Sequence, residues 1–267
     1  MPQAGSFLQG KRILVTRAKE QAESFSKQIE EQGGIAIEIP LIKIQAPKNT
    51  DIIEKTLQKI NTYSWLVLTS INGVQYFFDF LNTYKITFSE TGRPKIAVVG
   101  KKTLQALEQK GFSADLVPDD FVAEDLFEKL VERVDKSETV LLARGNLGRS
   151  LLPEKLGELG IKVDDLILYE NVLNVGKQAD LIHLLESRSL DIITFTSSST
   201  VTNFVELLQG TTGWQKWLEN IQIACIGPIT EKTAIEAGIN PQIVAAKYTV
   251  AGLLDAIVSK YRQEEPK

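Results

Sequence analysis

Four short segments carry hydroxyl or glycine residues where an apolar run gives way to a helical pattern: Thr69-Ser70-Ile71-Asn72-Gly73, Gly100-Lys101-Lys102-Thr103, Thr196-Ser197-Ser198-Ser199 and Gly227-Pro228-Ile229-Thr230. Glycine lets a ligand approach the main chain, hydroxyls cap and donate, and free amides at a helix start attract anions. One such Ser or Thr alone is an ordinary helix cap. Four equivalent turns in one chain point instead to a shared binding role for Ser70, Asn72, Gly100, Thr103, Ser197, Ser198, Gly227 and Thr230. The segment Arg144-Gly145-Asn146-Leu147-Gly148-Arg149 adds guanidinium groups among glycines, a cradle for carboxylate or phosphate, and Arg17 occupies the matching earlier turn. Solvated surface arginine is the alternative for each. Tyr169, in the strand-like Leu166-Ile167-Leu168-Tyr169-Glu170, is either a ring buried at a domain edge or a donor. A phenol keeps its proton at neutral pH and is a weak general acid.

Other chemistries lack their residues. There is no Walker A sequence, no dinucleotide glycine fingerprint and no Gly-x-Ser-x-Gly elbow. The chain holds one histidine, His183, in a helical pattern, and one cysteine, Cys225, in an apolar run that marks it as core filler. A metal site built on imidazole or thiolate is therefore not expected. A net charge of −4 argues against a nucleic-acid surface, which needs clustered Lys and Arg, but leaves an anionic small molecule open. Met1 to Gly10 do not read as a secretory signal, and no apolar run approaches the roughly 20 residues that cross a bilayer. A cytoplasmic protein with no membrane partner is expected.

The elements that must position these residues are written twice. A single ungapped shift of 127 places Leu14 and Arg17 on Leu141 and Arg144, and Gly33 on Gly160. It places Thr69, Ser70, Val74, Phe77 and Leu81 on Thr196, Ser197, Val201, Phe204 and Leu208, and Gly100, Thr103 and Gly111 on Gly227, Thr230 and Gly238. The matches gather at strand ends, helix starts and helix-closing glycines, which means a duplicated fold. Each copy reads as short buried strands, such as Ile13–Val15 and Leu66–Thr69, alternating with helices, such as Asn72–Leu81, Thr103–Gln109 and Glu124–Val134. That alternation predicts α/β architecture with two similar doubly wound parallel-sheet domains. The ligand is then expected between the repeats. The extended stretches 37–46 and 166–173 are the candidate chain crossings, and the tail 262–267 reads as frayed.

Taken in order, Leu14-Val15-Thr16-Arg17, Leu68-Thr69-Ser70-x-x-Gly73-Val74, Val98-Val99-Gly100-x-x-Thr103, Arg144-Gly145-x-x-Gly148-Arg149, Leu168-Tyr169 and Ile226-Gly227-Pro228-x-Thr230 resemble the uroporphyrinogen-III synthase family. The resemblance runs from about Lys11 to Tyr261. It implies two domains joined by a two-stranded linker, one formed by residues 1–40 with 172–267 and the other by 41–171. It also implies a reaction without cofactor or metal. Hydroxymethylbilane, a linear tetrapyrrole rich in acetate and propionate groups, loses water, inverts ring D through a spiro intermediate and closes to uroporphyrinogen III. By the resemblance, Tyr169 assists departure of the hydroxyl, and the hydroxyl turns, with Gly145 and Asn146, bind carboxylates that Arg17 and Arg144 balance. The family expectation is a monomer, able to receive the bilane from the preceding pathway enzyme. Ile229 departs from the threonine often found after Gly-Pro in the family. A non-catalytic two-domain protein that closes on an anionic metabolite is the competing reading.

Overall fold

The computed structural model describes residues 7–118, 123–148 and 150–264, so Arg149 lies outside the described residues. The chain divides into two compact units: one ends at Lys43 and resumes at Val172, and the other is Ile44–Asn171. The first passage between them falls between Lys43 and Ile44, whereas the sequence pointed to residue 40. The reason is packing, since Ile39 and Leu41 are buried in the first unit's core beside Leu181, Leu185 and Phe195.

The first unit contains β1 (Arg12–Val15), α1 (Lys19–Glu31), β2 (Ile35–Glu38), α7 (Gln178–Glu186), β8 (Ile192–Phe195), α8 (Ser198–Leu208), β9 (Gln222–Cys225), α9 (Pro228–Glu236), β10 (Ile243–Val244) and α10 (Val250–Glu264). The second holds α2 (Asp51–Gln58), β4 (Trp65–Leu68), α3 (Ile71–Thr83), β5 (Lys95–Val98), α4 (Lys101–Gln109), α5 (Ala123–Val131), β6 (Thr139–Gly145) and α6 (Leu151–Glu158). Two further strands, β3 (Ile42–Gln45) and β7 (Lys162–Leu173), carry the chain between the units and are hydrogen-bonded neighbours. Asn174 reinforces the return passage: its N–H donates to Leu41 O at 2.9 Å and its Nδ2 to Pro40 O at 2.8 Å.

The sheets run β10-β9-β8-β1-β2 and β3-β7-β6-β4-β5. Pairing is parallel for β1 with β2 and β8, for β9 with β8 and β10, and for β4 with β5 and β6. Strands buried on both faces explain the near-continuous apolar runs. In the second unit Leu66 and Leu68 face α2, α3 and α4, whereas Trp65 and Val67 face α5 and α6. In the first, Leu14, Ile193 and Phe195 face α7, α8 and α9, whereas Ile13, Val15 and Ile192 face α1 and α10. Both units are thus three-layered and doubly wound.

Shifting by 127 maps β1 onto β6, β4 onto β8, β5 onto β9 and α4 onto α9. Copies of the repeat are nevertheless not the units. Each sheet takes strands from both copies: β1 and β2 of the first stand with β8, β9 and β10 of the second, while β4 and β5 stand with β6 and β7. The helix-closing glycines agree across copies, with φ of +83° and +78° at Gly33 and Gly160, and +84° and +75° at Gly111 and Gly238. Two expectations change. The apolar piece 115–117, which sequence alone suggests as a fifth element of the first copy, contributes an isolated bridge, Ala97 with Leu116, and the tail expected to fray from 262 stays helical through Glu264.

Candidate active site

In open doubly wound sheets, ligands collect outside the carboxyl ends of strands where the chain winds away in opposite directions. In the second unit that switch lies between β4 and β6: β4 leads through α3 to β5 on one side, and β6 leads through α6 to β7 on the other. The turns at this point are Thr69-Ser70 and Gly145-Asn146. In the first unit it lies between β1 and β8, where the turns are Thr16-Arg17 and Thr196-Ser197-Ser198.

Ser70 and Tyr169 meet at the first of these. Ser70 is the N-cap of α3, its Oγ accepting from Gly73 N at 2.9 Å, and the same Oγ lies 3.0 Å from the Tyr169 hydroxyl oxygen. Tyr169 is 8% exposed, and its ring stacks on Tyr76 at 5.5 Å between centroids. A further constraint comes from Gly145. A Cβ built there would stand 2.5 Å from Tyr169 Cε2 and Cζ and 2.9 Å from the hydroxyl oxygen. The β6–β7 register shifts at Arg144/Gly145, so that Gly145 pairs with Tyr169 itself. Glycine is present at 145 because the tyrosine ring occupies its side-chain space.

Beside this pair, Asn146 acts as an extension of the sheet. Its N–H donates to Tyr169 O at 3.1 Å, its Oδ1 accepts from Asn171 N at 2.9 Å, and its Nδ2 donates to Asn171 O at 3.3 Å. Arg144, expected to hold substrate carboxylate, already holds one of the chain's own. Its Nε and Nη2 donate to Asp165 at 2.7 and 2.6 Å, and its Nη1 to the carbonyls of Gly148 and Gly145 at 2.6 and 3.2 Å. Four donor contacts therefore clamp the loop after β6. Asn72, half-buried in the first turn of α3, has no hydrogen-bond partner among the described residues.

Arg17, the repeat counterpart of Arg144, is differently placed. Position 38, which matches Asp165, is a glutamate, but Glu38 accepts from Ser26 Oγ. Among the described residues Arg17 donates only to the neutral Gln21 Oε1, at 2.8 Å, and its buried Nε has no partner. Burial holds its pKa below the ordinary arginine value. Among the described side chains it forms no ion pair, which leaves a cation at a switch point open to an anionic ligand.

Ser197 caps α8 in a capping box with Thr200, each hydroxyl accepting from the other's backbone N–H at 3.3 Å, and also meets Ser199 Oγ at 2.9 Å. Ser198 links α8 to α9: its Oγ donates to Ile229 O at 3.4 Å and accepts from Thr233 Oγ1 at 2.9 Å. Gly100 has φ +92°, a conformation that favours glycine. Thr103 and Thr230, expected as ligand donors, are each 4% exposed. Both are buried within the first turns of α4 and α9.

Sequence reasoning missed Tyr248. Its ring covers Gly227, where a Cβ would stand 2.8 Å from Tyr248 Cδ1. No motif flags a tyrosine in that loop; the available signal was the Gly-Pro turn, whose glycine requires a reason. Cys225 is fully buried, and desolvation, with Glu231 nearby, pushes its thiol up to about 12. Among the described residues no group of His, Cys, Asp and Glu side chains is arranged to hold a metal, and no helix is long and apolar enough to cross a membrane.

Comparison with known proteins converges on one identity. A family model described as uroporphyrinogen-III synthase HemD matches residues 23–255. A uroporphyrinogen-III synthase of Synechococcus elongatus is 33% identical over 256 residues, covering 95% of this chain and 97% of the relative. One from Chlorobaculum parvum is 30% identical over 236 residues, covering 88% and 92%. The solved structure of a mutant uroporphyrinogen III synthase from Thermus thermophilus has a TM-score of 0.61 at 16% identity, covering 96% of this chain and 100% of that one, and shares the fold. With a family model spanning most of its length and a full-length relative at one-third identity, the chain belongs to the uroporphyrinogen-III synthase family.

Proposed function

We propose that Tyr169 is the general acid of the family reaction in this chain, with Ser70 as the group that receives the charge it leaves behind. The family activity is uroporphyrinogen-III synthesis, a cyclising lyase reaction of porphyrin biosynthesis on a tetrapyrrole. The observation that carries the reading is the Tyr169–Ser70 contact at the second unit's switch point. As the C–O bond of hydroxymethylbilane breaks, the phenol gives its proton to the departing hydroxyl, which leaves as water. Ser70 Oγ uses a lone pair for Gly73 N–H, so its own hydrogen is available to the phenolate oxygen. The start of α3 places the positive end of a helix dipole beside the same oxygen.

The carbocation left on the terminal methylene must be met by the substituted carbon of ring D, not the free one. Attack there forms the spiro intermediate; migration of the ring and loss of a proton restore aromaticity. Because the bilane also closes unaided, without inversion, the protein's task is positioning. Arg17, the hydroxyl of Ser197, the amide of Asn72 and the backbone at Gly100 suit the substrate carboxylates. Arg144, Gly145 and Asn146 serve as the support that holds Tyr169. In this reading the protein acts as a monomer and takes the bilane from the enzyme that assembles it.

Supplying freshly generated hydroxymethylbilane and resolving product isomers tests the proposal. Uroporphyrinogen III above the spontaneous background is expected. Type I alone at the uncatalysed rate rejects it, and saturable bilane binding in that case would favour the non-catalytic binding protein.

A further inference from the structure

The residues at the carboxyl end of β9 and β10 include apolar groups that the fold leaves in water. Ile229, in the first turn of α9, is 78% exposed, and Tyr248, in the loop between β10 and α10, is 66% exposed. They flank one glycine. The Tyr248 ring lies against Gly227, with a Cβ there standing 2.8, 3.3 and 3.4 Å from Cδ1, Cγ and Cε1, and Ile229 follows two residues later. Gly227 has φ 175°, extended backbone open to any residue, so the close approach of the ring is what a side chain there would disturb.

The Tyr248 hydroxyl has no hydrogen-bond partner among the described residues. The surface continues into the switch-point turn, because Ser198 Oγ donates to the carbonyl of Ile229. The exposed Tyr248 ring and Ile229 thus lie on turns tied to the hydroxyl-bearing start of α8. A ligand fitting this arrangement is flat and apolar on its faces and anionic at its rim, which is the chemistry of a pyrrole ring bearing acetate and propionate arms.

We infer that Tyr248 and Ile229 form a shelf in the first unit that carries the face of one pyrrole ring of the substrate, while the Ser197 hydroxyl takes a carboxylate of that ring. This inference rests on the proposed function and adds residues that bind by apolar contact. The ring of Tyr248 supplies the contact; its hydroxyl does not. Ile229, exposed two residues beyond Gly227, adds apolar area to the shelf.

Steady-state kinetics with enzymatically generated hydroxymethylbilane, with circular dichroism and melting curves as controls for folding, test the shelf. Tyr248→Ala is expected to raise KM about tenfold with kcat within about twofold, the scale of a lost aromatic stacking contact. Tyr248→Phe is expected to behave as wild type. Gly227→Ala, which displaces the ring, is expected to raise KM in the wild-type background and to add nothing to Tyr248→Ala. An unchanged KM in Tyr248→Ala, or equal impairment in Tyr248→Phe, overturns the inference while leaving the synthase reading intact. Failure of the wild type to form uroporphyrinogen III strikes the function instead. Direct titration of wild type and Tyr248→Ala with uroporphyrinogen III then decides the shelf on affinity alone: a Kd about tenfold weaker in the variant supports it, and equal Kd values reject it.

Discussion

At the scale of single residues, two arginines related by the repeat have opposite surroundings, and their variants should separate accordingly. Arg144 is 11% exposed and chelates Asp165, so Arg144→Ala leaves a partly buried carboxylate alone. With the partial exposure of Asp165 discounted, the expected cost is about 1–3 kcal/mol in urea unfolding. Among the described side chains Arg17 has no anionic partner to lose, and its buried Nε is unpaired. Arg17→Ala should leave stability within about 0.5 kcal/mol of wild type but raise KM roughly tenfold, the worth of one charge-assisted hydrogen bond to substrate. Tyr169→Phe should lower kcat at least about tenfold with an unchanged melting curve, because the ring and its stacking on Tyr76 remain. Gly145→Ala should damage both quantities, since its Cβ would overlap the ring. In the Tyr169→Phe background, Gly145→Ala should cost further stability but little further kcat. A full additional loss of kcat there would show that Gly145 serves the reaction by another route.

At the scale of elements, the strand ends are held by local polar ties whose partners lie far apart in sequence. Asp115 is an instance: it accepts from Ile96 N at 2.8 Å, at the start of β5, and from Arg93 Nη1 at 2.7 Å. Burial raises its pKa, but the Arg93 guanidinium and the Ile96 N–H outweigh burial and hold the carboxyl below its ordinary value. A depressed folded value means that the stabilisation is complete above the unfolded pKa and is lost as pH falls through the folded one. Asp115→Asn should therefore be less stable than wild type at pH 7, with the gap closing below about pH 4 in urea titrations. Ties of this kind explain what was legible in the sequence. Ser70 and Ser197 were readable as helix-start residues because a cap acts on its own next turn. Asp165 as the partner of Arg144, and the Tyr169 ring as the reason for Gly145, were not, because each depends on the register between β6 and β7.

At the scale of the whole molecule, the duplication was legible in the shared glycines and turn hydroxyls, but the division of strands between units came only from the family resemblance, not from the repeat itself. Identical patterns in both copies cannot say which copy's β1-like strand stands beside which β4-like strand; only the pairing of β1 with β8 and of β4 with β6 does. The unit Ile44–Asn171 contains both of its own hydrophobic clusters, so this fragment should fold cooperatively by itself. A fragment ending near residue 137, at the sequence repeat boundary, lacks β6 and β7 and should not give a sharp melting transition. The opposite outcome for the two fragments would contradict the division into units. The exchange of strands between copies has a historical corollary. A polypeptide carrying one copy alone would own half of each sheet and could satisfy its edges only by trading arms with a twin, giving a symmetric swapped pair. Joining two such copies end to end would reproduce this connectivity, including the two crossing strands β3 and β7.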